Sequence, residues 1–257
     1  MSAPSSADHT APASGFLGGR LSLRQAETGH RVGTDAALLA AAAPRDTQGL
    51  ILDVGAGVGA VGLAAALLAP AATVGLVEID PAAAALAREN SALNGLGGRC
   101  RVYEADALAP AARRAAGLAN ESAQLVLTNP PFYAAGAVRV SPDAAKARAH
   151  VAAATTADWI KAALALLAPG GVFVMIHRAE ALGDCLAGVE RRLGAIRILP
   201  VAPRAEAPAT RILLKGIKGS RAPLALLAPL VLHEADGRFC ARAEALHRGA
   251  AEPFGAA

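Results

Sequence analysis

The sequence predicts an α/β fold, a mostly parallel sheet with helices on both faces, and three observations carry that expectation. From Gly49 onward, short apolar runs rich in Val, Ile and Leu alternate with alanine-rich stretches long enough for helices. The links between them are short and punctuated by Gly, Pro, Asn or Asp, as strand–helix–strand crossovers require. The apolar runs are near-continuous and do not alternate with polar residues, which is the pattern of strands covered on both faces.

Taken in order, residues 1–15 are rich in Ser, Ala and Pro and read as a disordered leader. Two glycines at 18 and 19, followed by the alternation Leu21-Ser22-Leu23, predict a short hairpin over 16–25. Thr34 or Asp35 can cap an alanine-rich helix that runs to Ala43; a hydroxyl and a carboxylate there could equally face a bound cofactor. Residues 50–54 form the first strand of the alternating series, and Gly55-Ala56-Gly57-Val58-Gly59 leads into a helix that ends near Leu68. Residues 73–77 form the next strand, closed by Glu78-Ile79-Asp80, with Pro81 at the first position of a helix that Asn94-Gly95 terminates. A strand over 101–104 ends at Ala105-Asp106-Ala107, and another over 124–128 ends at Asn129-Pro130-Pro131-Phe132. A helix near 156–167 stops at Pro169-Gly170-Gly171, a strand follows at 172–176, and a helix spans roughly 179–193. Strands near 196–201 and 211–216 complete the sheet, and Asp236-Gly237 predicts a hairpin turn between 231–234 and 238–240.

Composition narrows the function classes. The 257 residues suffice for a sizeable core, and much of the apolar fraction of 54% is alanine, so helices are expected to pack closely through small side chains. A formal charge of +4 and a pI near 9.3 are compatible with a nucleic-acid partner without requiring one. Cys100, Cys185 and Cys240 have neither metal-site spacing nor an even count, which excludes a disulfide framework and points to a reducing cytoplasm. The N-terminus lacks the basic and apolar regions of a signal peptide, and no segment is long and apolar enough to span a bilayer.

The chemistry is written at the ends of strands, where parallel α/β sheets bind ligands. Gly55, Gly57 and Gly59 let a ligand approach backbone at a helix N-terminus. Glu78 is placed to accept both hydroxyls of a ribose, and Asp106 to accept an adenine amine. At 129–132, Pro130 excludes Asn129 from the helical region and two prolines stiffen the turn. That elbow offers the Asn129 amide oxygen and the Pro130 carbonyl to the two N–H bonds of an exocyclic amine, with Phe132 to stack on its ring. A strand-ending turn with a core Phe accounts for the elbow alone, but not for polar groups at four successive strand ends. The looser dinucleotide fingerprint is also met by Gly55, Gly57 and Ala60 with an acidic residue about twenty positions on, which keeps an NAD-dependent dehydrogenase as a rival. Against it, Asp53 lies inside the strand, the third glycine comes one residue early, and the elbow has no role.

These residues resemble a known family. Asp53-Val54-Gly55-Ala56-Gly57-Val58-Gly59, Glu78, Asp106 and Asn129-Pro130-Pro131-Phe132 look like the ordered motifs of S-adenosylmethionine-dependent amino-group methyltransferases. Gly18-Gly19-Arg20-Leu21, the stretch His30 to Ala36, Lys218 to Leu224 and Leu230 to Glu234 look like those of the bacterial tRNA (adenine-N6) methyltransferases, across residues 16–248. The resemblance implies a class I methyltransferase fold, Rossmann-like and seven-stranded, over residues 16–222, with a hairpin and helix addition at 223–257. It implies that Asp53, Gly55, Ala56, Gly57 and Gly59 hold the methionine part of S-adenosylmethionine and Glu78 its ribose. Asp106 would hold the cofactor's adenine with Ile79 and Ala107 beside it, and Thr34, Asp35 and Asn129 would complete the cofactor site. Asn129, Pro130, Pro131 and Phe132 would present a flipped adenine of a valine tRNA for methylation at N6, with no metal and no covalent nucleophile.

RNA contacts are expected from Lys146, Arg148, Lys215, Lys218 and Arg221, each of which a solvated basic surface explains as well. A protein-glutamine methyltransferase would carry Tyr in place of Phe132 and a helical N-terminal domain, and a ribosomal-RNA guanine-N2 enzyme often has His at the position of Tyr133. A non-catalytic RNA-binding relic would not need all four strand-end groups. Trp159 and Phe173 read as core, and His177-Arg178 has no assigned role. The expectation is a monomeric cytoplasmic enzyme acting on tRNA.

Overall fold

Six residues of aliphatic sequence, Gly49–Val54 (β3), form the strand about which the sheet is laid out. The computed structural model describes residues 12–27, 31–130 and 154–255. On one side of β3 lie β4 (Ala72–Glu78) and then β5 (Cys100–Glu104); on the other lie β6 (Ala123–Thr128) and β7 (Leu167–Arg178). All four pairings are parallel. Beyond β7 the antiparallel β9 (Arg211–Lys218) is inserted before β8 (Leu193–Ala202). These are the seven strands expected, and among the described residues the two-residue strands β10 (Ala225–Leu226) and β11 (Leu230–Val231) extend the outer edge of β8. A separate hairpin pairs β1 (Ser14–Phe16) with β2 (Leu21–Leu23).

The chain reverses its direction across the sheet between β3 and β6, so the carboxyl ends of those two strands flank the crevice where such sheets bind ligands. Alternate residues of each strand face opposite helical layers. Leu125 and Leu127 join a cluster with α1 (Thr34–Ala41), α2 (Ala60–Leu68) and α7 (Ala241–His247), while Val126 joins one with α5 (Thr156–Leu166) and α6 (Leu182–Val189). Alanines at 0–4% exposure supply much of the first cluster, as the composition led one to expect.

Local chemistry sets the boundaries of the helices. Asp80 accepts from the amides of Ala82 and Ala83 and Pro81 opens α3 (Pro81–Leu93), while Gly95 beyond it turns at φ +66°. A reciprocal capping box of Thr155 and Asp158 starts α5. A short helix, α4 (Pro110–Ala115), follows β5 and was not anticipated. Three expectations need correction. Neither Thr34 nor Asp35 caps α1; the cap residue is Gly33, with no side-chain bond. Pro169-Gly170-Gly171 does not end α5, which stops at Leu166; it forms an irregular start to β7, with a register shift between Ala123 and Leu125. The helix expected over 179–193 is a 3-10 turn followed by α6 alone, because β8 begins at Leu193.

Candidate active site at the carboxyl edge of the sheet

The four strand ends named by the sequence lie side by side. Val54 is in register with Val77 on β4 and with Thr128 on β6, and Glu78 with Glu104 on β5. The loop after β3 is anchored by Gly55 and Ala56, whose amides both donate to Val77 O (2.9 and 3.0 Å). Gly57 holds φ +55°, and a Cβ there would meet no atom within 4 Å, so this position needs glycine for its backbone and leaves open space above it. Gly55 is glycine for packing as well, since a Cβ would come within 2.9 Å of the Trp159 ring. Gly59 (φ +88°) begins α2.

Glu78 is the electrostatic centre of this edge. It is 8% exposed, and its Oε2 accepts from Gly57 N (2.7 Å) while Oε1 accepts from Ile79 N (2.9 Å) and Asp80 N (2.8 Å). Burial raises its pKa above the ordinary value, and the three amide bonds oppose that rise. A carboxylate has about four acceptor positions, so three are occupied and the group is oriented before any ligand arrives. Asp53 works from beneath the loop: it is 2% exposed and its Oδ2 accepts from Gly62 N (2.8 Å) in the first turn of α2. Burial pushes it up to about 7 against that hydrogen bond, and the negative charge of Glu78 adds to the rise. Asp106 is half-buried and accepts from Leu108 N (2.8 Å); half-buried Ile79 and buried Ala107 stand beside the two acidic strand ends.

At the end of β6, Thr128 is wholly buried, donates to Val54 O (2.8 Å) and accepts from Trp159 Nε1 (2.8 Å). The next side chain, Asn129, places a buried Oδ1 with no hydrogen-bond partner among the described residues. An unpaired buried acceptor costs about 1–3 kcal/mol, so its presence at a strand end calls for a donor from beyond the described residues. Pro130 is buried beside it, while Pro131, Phe132, Lys146 and Arg148 lie outside the described residues.

The remaining candidates divide. Asp35 forms an ion pair with Arg211 (2.9 Å) at the start of β9, and Thr34 is bonded to His247 Nε2 (3.3 Å). Lys218 has its three donors engaged by Glu121 Oε1 and by the carbonyls of Leu164 and Leu167, where it closes the end of α5; none remains for a phosphate. Lys215 is half-buried with its ammonium 5.6 Å from the Phe254 ring centroid, and burial lowers its pKa. Arg221 is exposed. His177 is buried, with Nε2 at 3.3 Å from Thr156 Oγ1.

Sequence reasoning missed the link made by Trp159. Its ring closes on Gly55 and its indole N–H reaches Thr128, so one side chain touches both the glycine loop and the residue preceding Asn129. The available signal was general: a buried Trp requires an acceptor for its N–H. Arg211 and His247 could not have been found, because their partners are distant in the chain.

Comparison with known proteins agrees with this geometry. Residues 28–197 match the family described as methyltransferase small domain. The chain is 30% identical to a tRNA1(Val) (adenine(37)-N6)-methyltransferase of Dickeya chrysanthemi, over 85% of this chain and 86% of that one. It is 31% identical to the enzyme of the same name from Aeromonas hydrophila, over 82% and 86%. Among solved structures, a protein of Agrobacterium tumefaciens described as a predicted O-methyltransferase superposes with a TM-score of 0.72 at 34% identity, covering 85% of this chain and 97% of that one. M. jannaschii TYW2, solved with AdoMet, shares the fold at 13% identity, with a TM-score of 0.55 over 84% and 88% of the two chains.

Proposed function

From the premise that the chain belongs to the methyltransferase small domain family of S-adenosylmethionine-dependent enzymes, we propose that it methylates the N6 amine of an adenine in tRNA. Following its relatives' names, the substrate is adenine 37 of a valine tRNA. The observation that carries the choice of an amine is the buried Oδ1 of Asn129, without a partner among the described residues and beside the glycine loop.

The residues present fit the cofactor: open space over Gly57, a pre-oriented carboxylate at Glu78 and a second at Asp106. Bound S-adenosylmethionine supplies an electrophilic methyl group. The loop from Gly55 to Gly59 admits its methionine part, with Asp53 holding the loop to α2 from below. Glu78, with one acceptor position left, would take one ribose hydroxyl, and Asp106 would take the adenine amine, with Ile79 and Ala107 nearby. Asn129 Oδ1 and the Pro130 carbonyl accept the two N–H bonds of the substrate amine. Held by two acceptors, the nitrogen is drawn out of conjugation; its lone pair would form the N–C bond as the sulfonium S–C bond breaks to leave a neutral thioether. The surplus proton on nitrogen would pass to water, with most of the rate coming from this positioning. An oxygen acceptor would instead need a base to take its proton, and a side-chain amide is not one.

We also propose a cytoplasmic enzyme, acting as a monomer through a catalytic domain over 16–222 and an addition at 223–257. The test is transfer of labelled methyl to unmodified valine tRNA, ribosomal RNA and protein offered side by side. N6-methyladenosine in the tRNA alone is expected; label in N2-methylguanosine or in protein would overturn the substrate.

A further inference from the structure

Away from the glycine loop, a cleft of about 330 Å3 opens between the β1–β2 turn, the start of α1 and the C-terminal segment. Its lining includes Phe16, Gly18, Gly19, Thr34, Phe239 and His247. The volume is at the small end of the range for ligand sites, enough for one flat heterocycle and part of a sugar.

The lining is suited to such a ring. Phe239 is 37% exposed, unusual for so large an apolar side chain, and is in ring contact with His247 (centroids 4.3 Å apart) and with His233 (4.7 Å). The hairpin turn is held in left-handed backbone at Leu17, Gly18 and Gly19 (φ +54°, +67° and +83°), and a Cβ at Gly19 would meet nothing within 4 Å. Leu17 accepts that strain because its side chain is anchored in the core at 2% exposure. Polar groups are fixed as well. His247 Nδ1 lies 2.8 Å from Ala243 O and must donate to it, so in the neutral ring Nε2 accepts from the Thr34 hydroxyl and leaves the Thr34 oxygen free to accept. Exposed Arg20 and Arg31 flank the lining in sequence, and Arg248, ion-paired with Glu244 (2.7 Å), lies against Gly18. The neighbouring Asp35–Arg211 pair sets this cleft at the carboxyl edge of the sheet, since Arg211 is in register with Arg178 at the end of β7.

We propose that this cleft binds one unpaired base of the RNA substrate, other than the base that is methylated. The exposed part of the aromatic wall packs on it, Thr34 accepts from its edge, and Arg20 and Arg31 meet the adjoining phosphates. The proposal rests on the RNA reading above. Phe239→Ala is expected to raise the Kd for unmodified valine tRNA about tenfold, the scale of one stacked base, with the Kd for S-adenosylmethionine unchanged. Phe239→Trp should keep wild-type affinity and place a reporter in the cleft, the native Trp159 being buried; tRNA should quench its emission. Wild-type affinity in a folded Phe239→Ala variant, or a Phe239→Trp signal that answers to S-adenosylmethionine and not to tRNA, would sink the proposal. If tRNA quenches the reporter but is methylated elsewhere than N6 of adenine, the cleft stands and the reaction assigned above falls.

Discussion

Two regions at the carboxyl edge of the sheet are built in opposite ways. Around the glycine loop, contacts are short in sequence: Asp53 to Gly62 spans nine residues and Gly57 to Glu78 twenty-one. At the cleft by the C-terminal segment they are long: Asp35 reaches Arg211 across 176 residues and Thr34 reaches His247 across 213. The first region is buried and its carboxylates are oriented by backbone amides; the second is half-exposed, and its long-range links are made by side chains. Rigid, desolvated groups suit positioning of the reacting atoms, whereas an open aromatic surface suits recognition of a large flexible partner.

The comparison breaks most visibly at Asn129. Asn129→Ala should lower kcat by about 10²–10³-fold, the scale for one preorganised polar group at a reacting centre, while cofactor affinity measured by calorimetry stays near wild type. Equal loss of both would make Asn129 a structural residue of the loop region. Glu78→Gln comes next. It exchanges an anionic oxygen for an amide N–H that confronts a backbone donor, and hydrogen bonds to charged groups are worth about 1.5–3 kcal/mol. Cofactor Kd should rise by tenfold or more, with tRNA affinity unaltered.

Trp159→Phe keeps a six-membered aromatic ring but removes the N–H to Thr128, leaving that hydroxyl only its bond to Val54 O. A loss of about 1–2 kcal/mol in urea unfolding is expected, together with a fall in kcat but not in cofactor affinity. A change in stability alone would confine Trp159 to the core. The last prediction concerns pH and Asp53. Because burial raises its pKa from 3.8 to about 7, the folded protein keeps a proton that the unfolded chain releases at lower pH. Its contribution to stability is therefore full below pH 3.8 and declines as pH rises to about 7. Asp53→Asn should flatten that part of the stability–pH profile; an unchanged slope would show that the carboxylate is ionised in the fold throughout.

The elbow and the glycine loop were legible because their constraints act within a few residues. Pro130 restricts Asn129 through its own ring, and Gly57 is required by its own φ. Lys218 shows the opposite. In sequence it is a basic residue in a basic stretch, and only folding reveals that its ammonium is enclosed by Glu121 and two carbonyls of the α5–β7 junction. Thr34 and Asp35 looked like a helix cap because capping is a local rule, but distant His247 and Arg211 compete for the same oxygens and win.

By itself, then, the sequence determined the order of strands and helices, the strand ends that carry polar groups, and the stiff backbone at positions 55–59 and 129–130, since periodicity, Gly and Pro fix local dihedrals. Only the tertiary structure decided that Trp159 joins the loop to the elbow, that Asn129 Oδ1 is buried without a partner among the described residues, and that an aromatic cleft forms between the N-terminal hairpin and the C-terminal segment. Those outcomes depend on which surfaces meet when the sheet assembles, and no short window of sequence contains both sides of such a contact.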